Sequence, residues 1–214
     1  MEKNTFTEIV FLLLRGHLPT KKETQMLNAV LVSCAEHGVE VPSAFSARVS
    51  QSVGNPIPVA VAAGILATGQ WHGGAIDKAM EHLASERSPK EIISELKKNN
   101  QRMPGFGHKI YKDEDPRATL LFKKAKALGL AKKYVPRARA FEKELARISG
   151  KHLPLNIDGA VAAVLLELGF DTNLGNALFV LGRTAGIIAH AHEESVREKP
   201  YRRLSETDVT YDGK

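Results

Sequence analysis

The chain has a single cysteine, Cys34, so it can close no disulfide within itself. That rules out a disulfide-stapled scaffold and makes a reducing, cytoplasmic setting the expectation. Long apolar runs are missing too. Ile9-Val10-Phe11-Leu12-Leu13-Leu14 is short and preceded by Glu2 and Glu8, which fits neither a signal peptide nor a membrane span. Aromatic residues make up only 6% of the chain and do not interleave its basic runs, so no nucleic-acid module is recognisable. There is no internal repeat or low-complexity stretch, and strand-like runs are few.

What remains is a helix former of 214 residues, 43% hydrophobic and 25% charged, with a net charge of +6. This length buries a core without staples, as one domain or one domain with a small lobe. The positive balance favours acidic partners, such as a polyphosphate or nucleic acid. Thr5-Phe6-Thr7-Glu8 reads as a capping box opening a helix that Gly16 stops. Pro19-Thr20 starts a second helix, and Glu36-His37-Gly38 breaks it. Further helices are expected over 43–53, 56–66, 75–84, 89–99, 118–128, 135–148, 160–168 and 174–190. The run 56–66 is apolar enough to read as buried. Lys123, Lys124, Lys126, Lys132, Lys133, Arg137, Arg139, Lys143 and Arg147 make a dense basic run along and between two of these helices, mostly as solvated faces. The expected fold class is all-α.

The densest chemical information lies in Pro104-Gly105-Phe106-Gly107-His108 and, behind it, Asp115-Pro116-Arg117. The glycines allow positive φ and close backbone approach, but the third glycine of a dinucleotide loop is missing. Pro116 stiffens the turn that carries Arg117. Histidine gives or takes a proton near neutral pH, and arginine forks onto a carboxylate, so the pair suits an oxygen-rich anion. Arg183 interrupts an apolar helix and, if buried, needs an anionic partner. Read alone, Asp158 fits a helix N-cap, His72 a turn residue beside two glycines, and His37 a charge favouring a helix C-terminus. In His190-Ala191-His192-Glu193-Glu194, the two histidines point about 200° apart on a helix. His190 and Glu194 could meet, but no third ligand is evident, and no metal is expected.

Five motifs follow one another in order: Glu36-His37-Gly38, His72-Gly73-Gly74-Ala75, the His108–Arg117 segment, Asn156-Ile157-Asp158 and Gly182-Arg183. Together they resemble the citrate synthase superfamily over nearly the whole chain, and its short members above all: citryl-CoA lyases and the citrate-synthase-like module of ATP-citrate lyase. Asn176–Arg183 is similar to that module, which nevertheless carries an aromatic where His72 stands here. The resemblance implies a citrate-synthase-like helical fold, 1–214 as one unit, with a small lobe at about 100–150 between large-domain segments 1–99 and 151–214. It implies a homodimer or dimer of dimers, and acyl-CoA and oxaloacetate or citryl-CoA as substrates. It makes Asp158 the base, His72 the donor to the thioester oxygen and His108 the partner of the keto oxygen. His37, Arg117 and Arg183 would hold substrate carboxylates, as would Arg202 or Arg203, reaching in from a neighbouring subunit. Gly105, Phe106, Gly107 and Lys112 would serve coenzyme A. The direction of reaction stays open, with citryl-CoA lyase favoured over citrate or methylcitrate synthase. A basic helical nucleic-acid-binding protein is the alternative of another class.

Overall fold

Side chains close the N-terminal ends of several helices. Thr5 and Glu8 form the expected reciprocal cap on α1 (Phe6–Arg15), and Gly16 ends it in the left-handed region. Thr20 and Glu23 exchange the same bonds ahead of α2 (Lys21–Cys34), and Ser88 and Glu91 do so for α6 (Pro89–Lys98). Between them lie α3 (Pro42–Ser52), α4 (Ile57–Leu66) and α5 (Ala75–Ala84). Then come α7 (Pro116–Ala127), α8 (Tyr134–Ser149), α9 (Ile157–Glu167) and α10 (Gly175–Arg197), with a short 3-10 turn at Thr172–Leu174. This computed structural model describes residues 2–203, 205 and 208–213; among them there are isolated bridge pairs but no longer strand. The fold is all-α, and no helix among the described residues is long and apolar enough to cross a membrane.

Residue contacts divide the chain into two units. One comprises the chain up to Cys34 together with Gly73–Gly182; the other comprises Ala35–His72 and the chain from Arg183 onward. The first is built round α9, whose residues from Gly159 to Leu166 are all buried. The helices α2, α5, α7 and α8 pack against it. The segment 100–150, the small lobe that the resemblance implies, falls inside this unit. One cap here crosses a long stretch of chain. Glu167 Oε1 accepts the amides of Lys132, Lys133, Tyr134 and Val135 at 2.7–3.0 Å, closing the start of α8 where no local side chain does.

The second unit pairs α3 with α4 and includes α10 from Arg183 on. Packing is tight at Gly64, where a Cβ would come within 2.7 Å of both the Ile187 side chain and the Ser43 carbonyl. The expectation that 56–66 is buried fails. Within α4 only Ala60 and Gly64 are buried, while Leu66 is 84% and Val59 47% exposed. The helix is apolar on all sides but has packed neighbours on one.

Candidate functional site

The Gly-rich loop is pinned to the start of α9. Gly105 and Gly107 both take φ of +82°, inside the left-handed region. The Asn156 amide donates to the Gly105 carbonyl at 3.1 Å, the Gly107 amide to Pro154 at 2.7 Å, and Asn156 Nδ2 to the Gly107 carbonyl at 2.9 Å. Contact is so close that a Cβ on Gly159 would lie 2.4 Å from the Gly105 oxygen. Phe106, half-buried between the two glycines, faces Phe141 at 6.4 Å between ring centres.

This loop delivers His108 beside Arg117. Nδ1 of His108 accepts the amides of Ile110 at 3.1 Å and Tyr111 at 3.2 Å. Burial pushes its pKa down and the Arg117 and Lys112 charges add to that, outweighing the opposing pull of Asp115. A neutral ring whose Nδ1 accepts carries its proton on Nε2. Arg117 Nη2 lies 3.3 Å from that Nε2, and a guanidinium only donates. Two N–H donors thus stand side by side, an arrangement that favours an acceptor oxygen between or above them.

Asp115 organises the arginine. It caps α7 by accepting the Arg117 amide at 3.0 Å, holds the guanidinium through Nε at 3.0 Å and Nη2 at 2.8 Å, and accepts the Ile157 amide at 3.0 Å. It is fully buried. Burial alone would raise its carboxyl; the bonds and charge of Arg117 and the Ile157 amide outweigh that and hold it below the ordinary aspartate value. The hydrogen bonds of Asp115 in turn raise the Arg117 pKa, against burial, and the charge of Asp158 adds to the rise. Asp158 is half-buried in the first turn of α9, but Asn156 is the cap, accepting the amides of Asp158 and Gly159 at 3.0 and 3.2 Å. The helix-cap explanation of Asp158 is thereby taken by its neighbour.

Next to the loop lies a cavity of about 750 Å³. Ile93, Leu96, Phe106, Leu145, Ile148 and Leu153 give it apolar walls, and Lys97, Arg102, Lys109 and Lys151 line it with positive charge beside His108. Lys112 is exposed, its ammonium donating to the Lys109 carbonyl at 2.9 Å. Three basic residues of α8 have partners within the unit: Arg137 donates to the Ser85 and Arg87 carbonyls, Arg139 pairs with Glu142 and Arg147 with Glu144.

The second unit holds the other candidates. His72 Nε2 is 2.8 Å from Ser43 Oγ, and Ser43 is fully buried. Burial pushes the His72 pKa down, and the nearby charges of Arg183 and His37 push it the same way. Arg183 is buried on α10, whereas His37 is exposed. Arg202 is held by Glu194 of its own chain; Arg203, the next residue, is exposed. His190 turns Nε2 to Glu36 at 2.9 Å, so it does not meet Glu194. No cluster among the described residues could hold a metal ion.

The structure therefore gathers His108, Arg117, Asp158, Gly105, Phe106 and Gly107 in one unit, and His37, His72, Arg183, Arg202 and Arg203 in the other. Sequence reading passed over Asp115 and Ser43 as site-shaping residues. Asp before Pro at a helix start was a usable signal for the first; nothing in the sequence links Ser43 to His72. It also missed Lys97, Arg102 and Lys151, which sit on separate elements and converge only in the fold.

Comparison with known proteins closes the picture. Residues 1–204 match the family description "Citrate synthase, C-terminal domain". The structure superposes on citryl-CoA lyase from Hydrogenobacter thermophilus with a TM-score of 0.94 at 43% identity, covering 99% of this chain and 85% of that one. It superposes on ATP citrate lyase from Methanothrix soehngenii, solved with citrate and coenzyme A, with a TM-score of 0.84 at 26% identity, covering 98% of this chain and 37% of that one. ATP-citrate synthase beta chain protein 1 of Arabidopsis thaliana is 32% identical over 208 residues, 88% of this chain. The chain spans 34% of that plant protein's length.

Proposed function

Because the chain belongs to the citrate synthase family, we propose that it cleaves citryl-CoA to acetyl-CoA and oxaloacetate, the reaction of a citryl-CoA lyase. The observation that carries this reading is the pair of N–H donors on His108 and Arg117, set side by side for a substrate oxygen. The likeness to citryl-CoA lyase over nearly the full length of both chains favours it over citrate or methylcitrate synthase.

In the bond-forming direction Asp158 removes a methyl proton from the acetyl thioester while His72 donates to the thioester oxygen. Enolate charge builds on that oxygen, so a donor already in place lowers the barrier. The Ser43 hydroxyl, 2.8 Å from Nε2, holds the His72 ring in orientation. His108 Nε2–H bonds the keto oxygen as it gains charge, and Arg117, Arg183 and His37 bind the carboxylates. Cleavage runs through the same contacts in reverse. The charged, apolar-walled cavity suits coenzyme A, with its adenine along 105–107 and its phosphates on Lys97, Arg102, Lys109 and Lys151, with Lys112 nearby. Cytoplasmic location and a large domain, 1–99 and 151–214, with a lobe at 100–150 belong to this reading. So does a homodimer or dimer of dimers, with the uncovered apolar sides of α4 as the contact face.

The test supplies citryl-CoA and follows oxaloacetate, and separately supplies acetyl-CoA, oxaloacetate and a thiol reagent. Oxaloacetate release is expected, abolished by Asp158→Asn while oxaloacetate binding persists. Activity in neither assay, with salt-sensitive binding to nucleic acid, would sink the reading in favour of a nucleic-acid-binding protein.

A further inference from the structure

Arg183, Gly186, His190 and Glu193 recur every three or four residues along α10 and so share one face of it. The turn Glu36-His37-Gly38 lies on that face. A Cβ on Gly186 would sit 2.2 Å from the Ala35 carbonyl oxygen and 2.5 Å from Glu36 Oε2, so only glycine fits there. One helical turn further on, His190 Nε2 is 2.9 Å from Glu36 Oε1, and the His190 side chain is only 11% exposed. The Glu36 carboxylate also accepts the amides of His37 and Gly38, and Gly38 completes the turn with a φ of +91°. Burial alone would raise the Glu36 carboxyl; the His190 bond and these amides outweigh it and hold the carboxyl below the ordinary glutamate value. An ionised carboxylate only accepts, so His190 Nε2 is the donor. Its Nδ1 is buried without a hydrogen-bond partner, with Glu193 Oε2 at 3.9 Å. The bond that His190 makes thus goes to the turn carrying His37. The charges of His37 and Arg183 both reach His72 within this unit, so the placing of that turn bears on the candidate site.

We propose that His190 is a positioning residue: through Glu36 it shapes the 36–38 turn and so sets His37 in place to bind the substrate. The inference rests on the citryl-thioester reading, which makes His37 a carboxylate ligand without saying what orients it on an exposed turn. Glu36 is half-exposed. Without the His190 donor its carboxylate would turn to water instead, and the turn would lose that tie to α10.

The experiment uses the full chain as His190→Ala, His190→Gln, His190→Asn, Glu36→Ala and His37→Ala, with His190→Ala and His37→Ala also combined. Glu36→Ala alters a half-exposed side chain, so it keeps the unit folded if His190→Ala does not. His190→Ala, His190→Asn and Glu36→Ala should each raise KM for citryl-CoA roughly tenfold, the loss of about one charge-assisted bond to the substrate. The kcat should stay within about twofold, the pattern of lost uniform binding. His190→Gln should bring KM back to within about threefold of wild type, because its amide nitrogen stands where Nε2 stood. The shorter asparagine places its amide near Nδ1 and should not rescue. Glutamine and asparagine behaving alike would overturn the proposal. The combined variant should be no worse than His37→Ala alone, and multiplying effects would overturn the proposal by showing that His190 acts other than through His37. Hydrogen exchange at the His37 and Gly38 amides is read in parallel and needs no turnover. It should quicken in His190→Ala and not in His190→Gln; unchanged exchange in His190→Ala would overturn the hold on the turn. A wild type that turns over neither substrate pair defeats the functional reading and the placing of His37 with it. An active wild type whose KM ignores these variants defeats this proposal alone.

Discussion

At the scale of single residues, Asp115 does the most with one carboxylate. It closes α7, holds Arg117 and ties both to the start of α9. Its pKa lies below the ordinary aspartate value in the folded chain, so its contribution to stability is present above the unfolded value and is lost as pH falls through the folded one. Asp115→Asn should cost about 2 kcal/mol at neutral pH, since it turns charge-assisted bonds into ordinary ones. Urea unfolding across the acid range should show the gap to wild type closing as the wild-type carboxylate protonates. A gap independent of pH would mean that the charge is irrelevant and only the cap matters. His108 and Arg117 were legible in the sequence because a short loop carries both. Ser43 beside His72 was not, because 28 intervening residues separate them in sequence and a serine in a helix is unremarkable. Nor could the sequence separate Asp158 from Asn156 as the cap, since both residue types cap helices.

Between elements, the contact that decides the site's shape is the crossing of the Gly-rich loop over α9. Gly105 and Gly159 meet with no space for a side chain on either. Gly159→Ala therefore forces the loop away from the helix that carries Asp158. Overpacking of this kind costs about 1–3 kcal/mol, and Gly159→Ala should lower the melting temperature and reduce turnover together. Loss of turnover with an unchanged melting temperature would show instead that the methyl blocks the site without moving the loop. Helix positions were readable from their caps and apolar spacing, as at Thr5 and Thr20, because those signals are local. The start of α8 was read to within one residue, but its cap was not readable locally, because that cap is Glu167, on another helix. The run 56–66 was misjudged for a related reason: composition reports that a helix avoids water, not what covers it.

For the whole molecule, that uncovered helix is the contact face of the proposed dimer. Leu66, Val59 and, on α3, Phe45 are exposed large apolar groups in one unit. Leu66→Asp with Val59→Asp should leave helical content by circular dichroism unchanged and shift sedimentation from dimer to monomer. A wild-type chain that sediments as a monomer at micromolar concentration would remove the dimer from the proposed function. The division of the chain has a different consequence, one of timing. The second unit is assembled from 35–72 and from 183 onward, with the whole of 73–182 synthesised between them. On the ribosome, α3 and α4 emerge early, yet Ile187, which packs over Gly64, and Glu194, which accepts from Arg48, arrive more than a hundred residues later. During that interval α3 and α4 have each other but lack α10, a condition in which nascent chains aggregate or recruit chaperones. The first unit is largely encoded in the continuous stretch 73–182, so its connectivity imposes a shorter wait than that of the second.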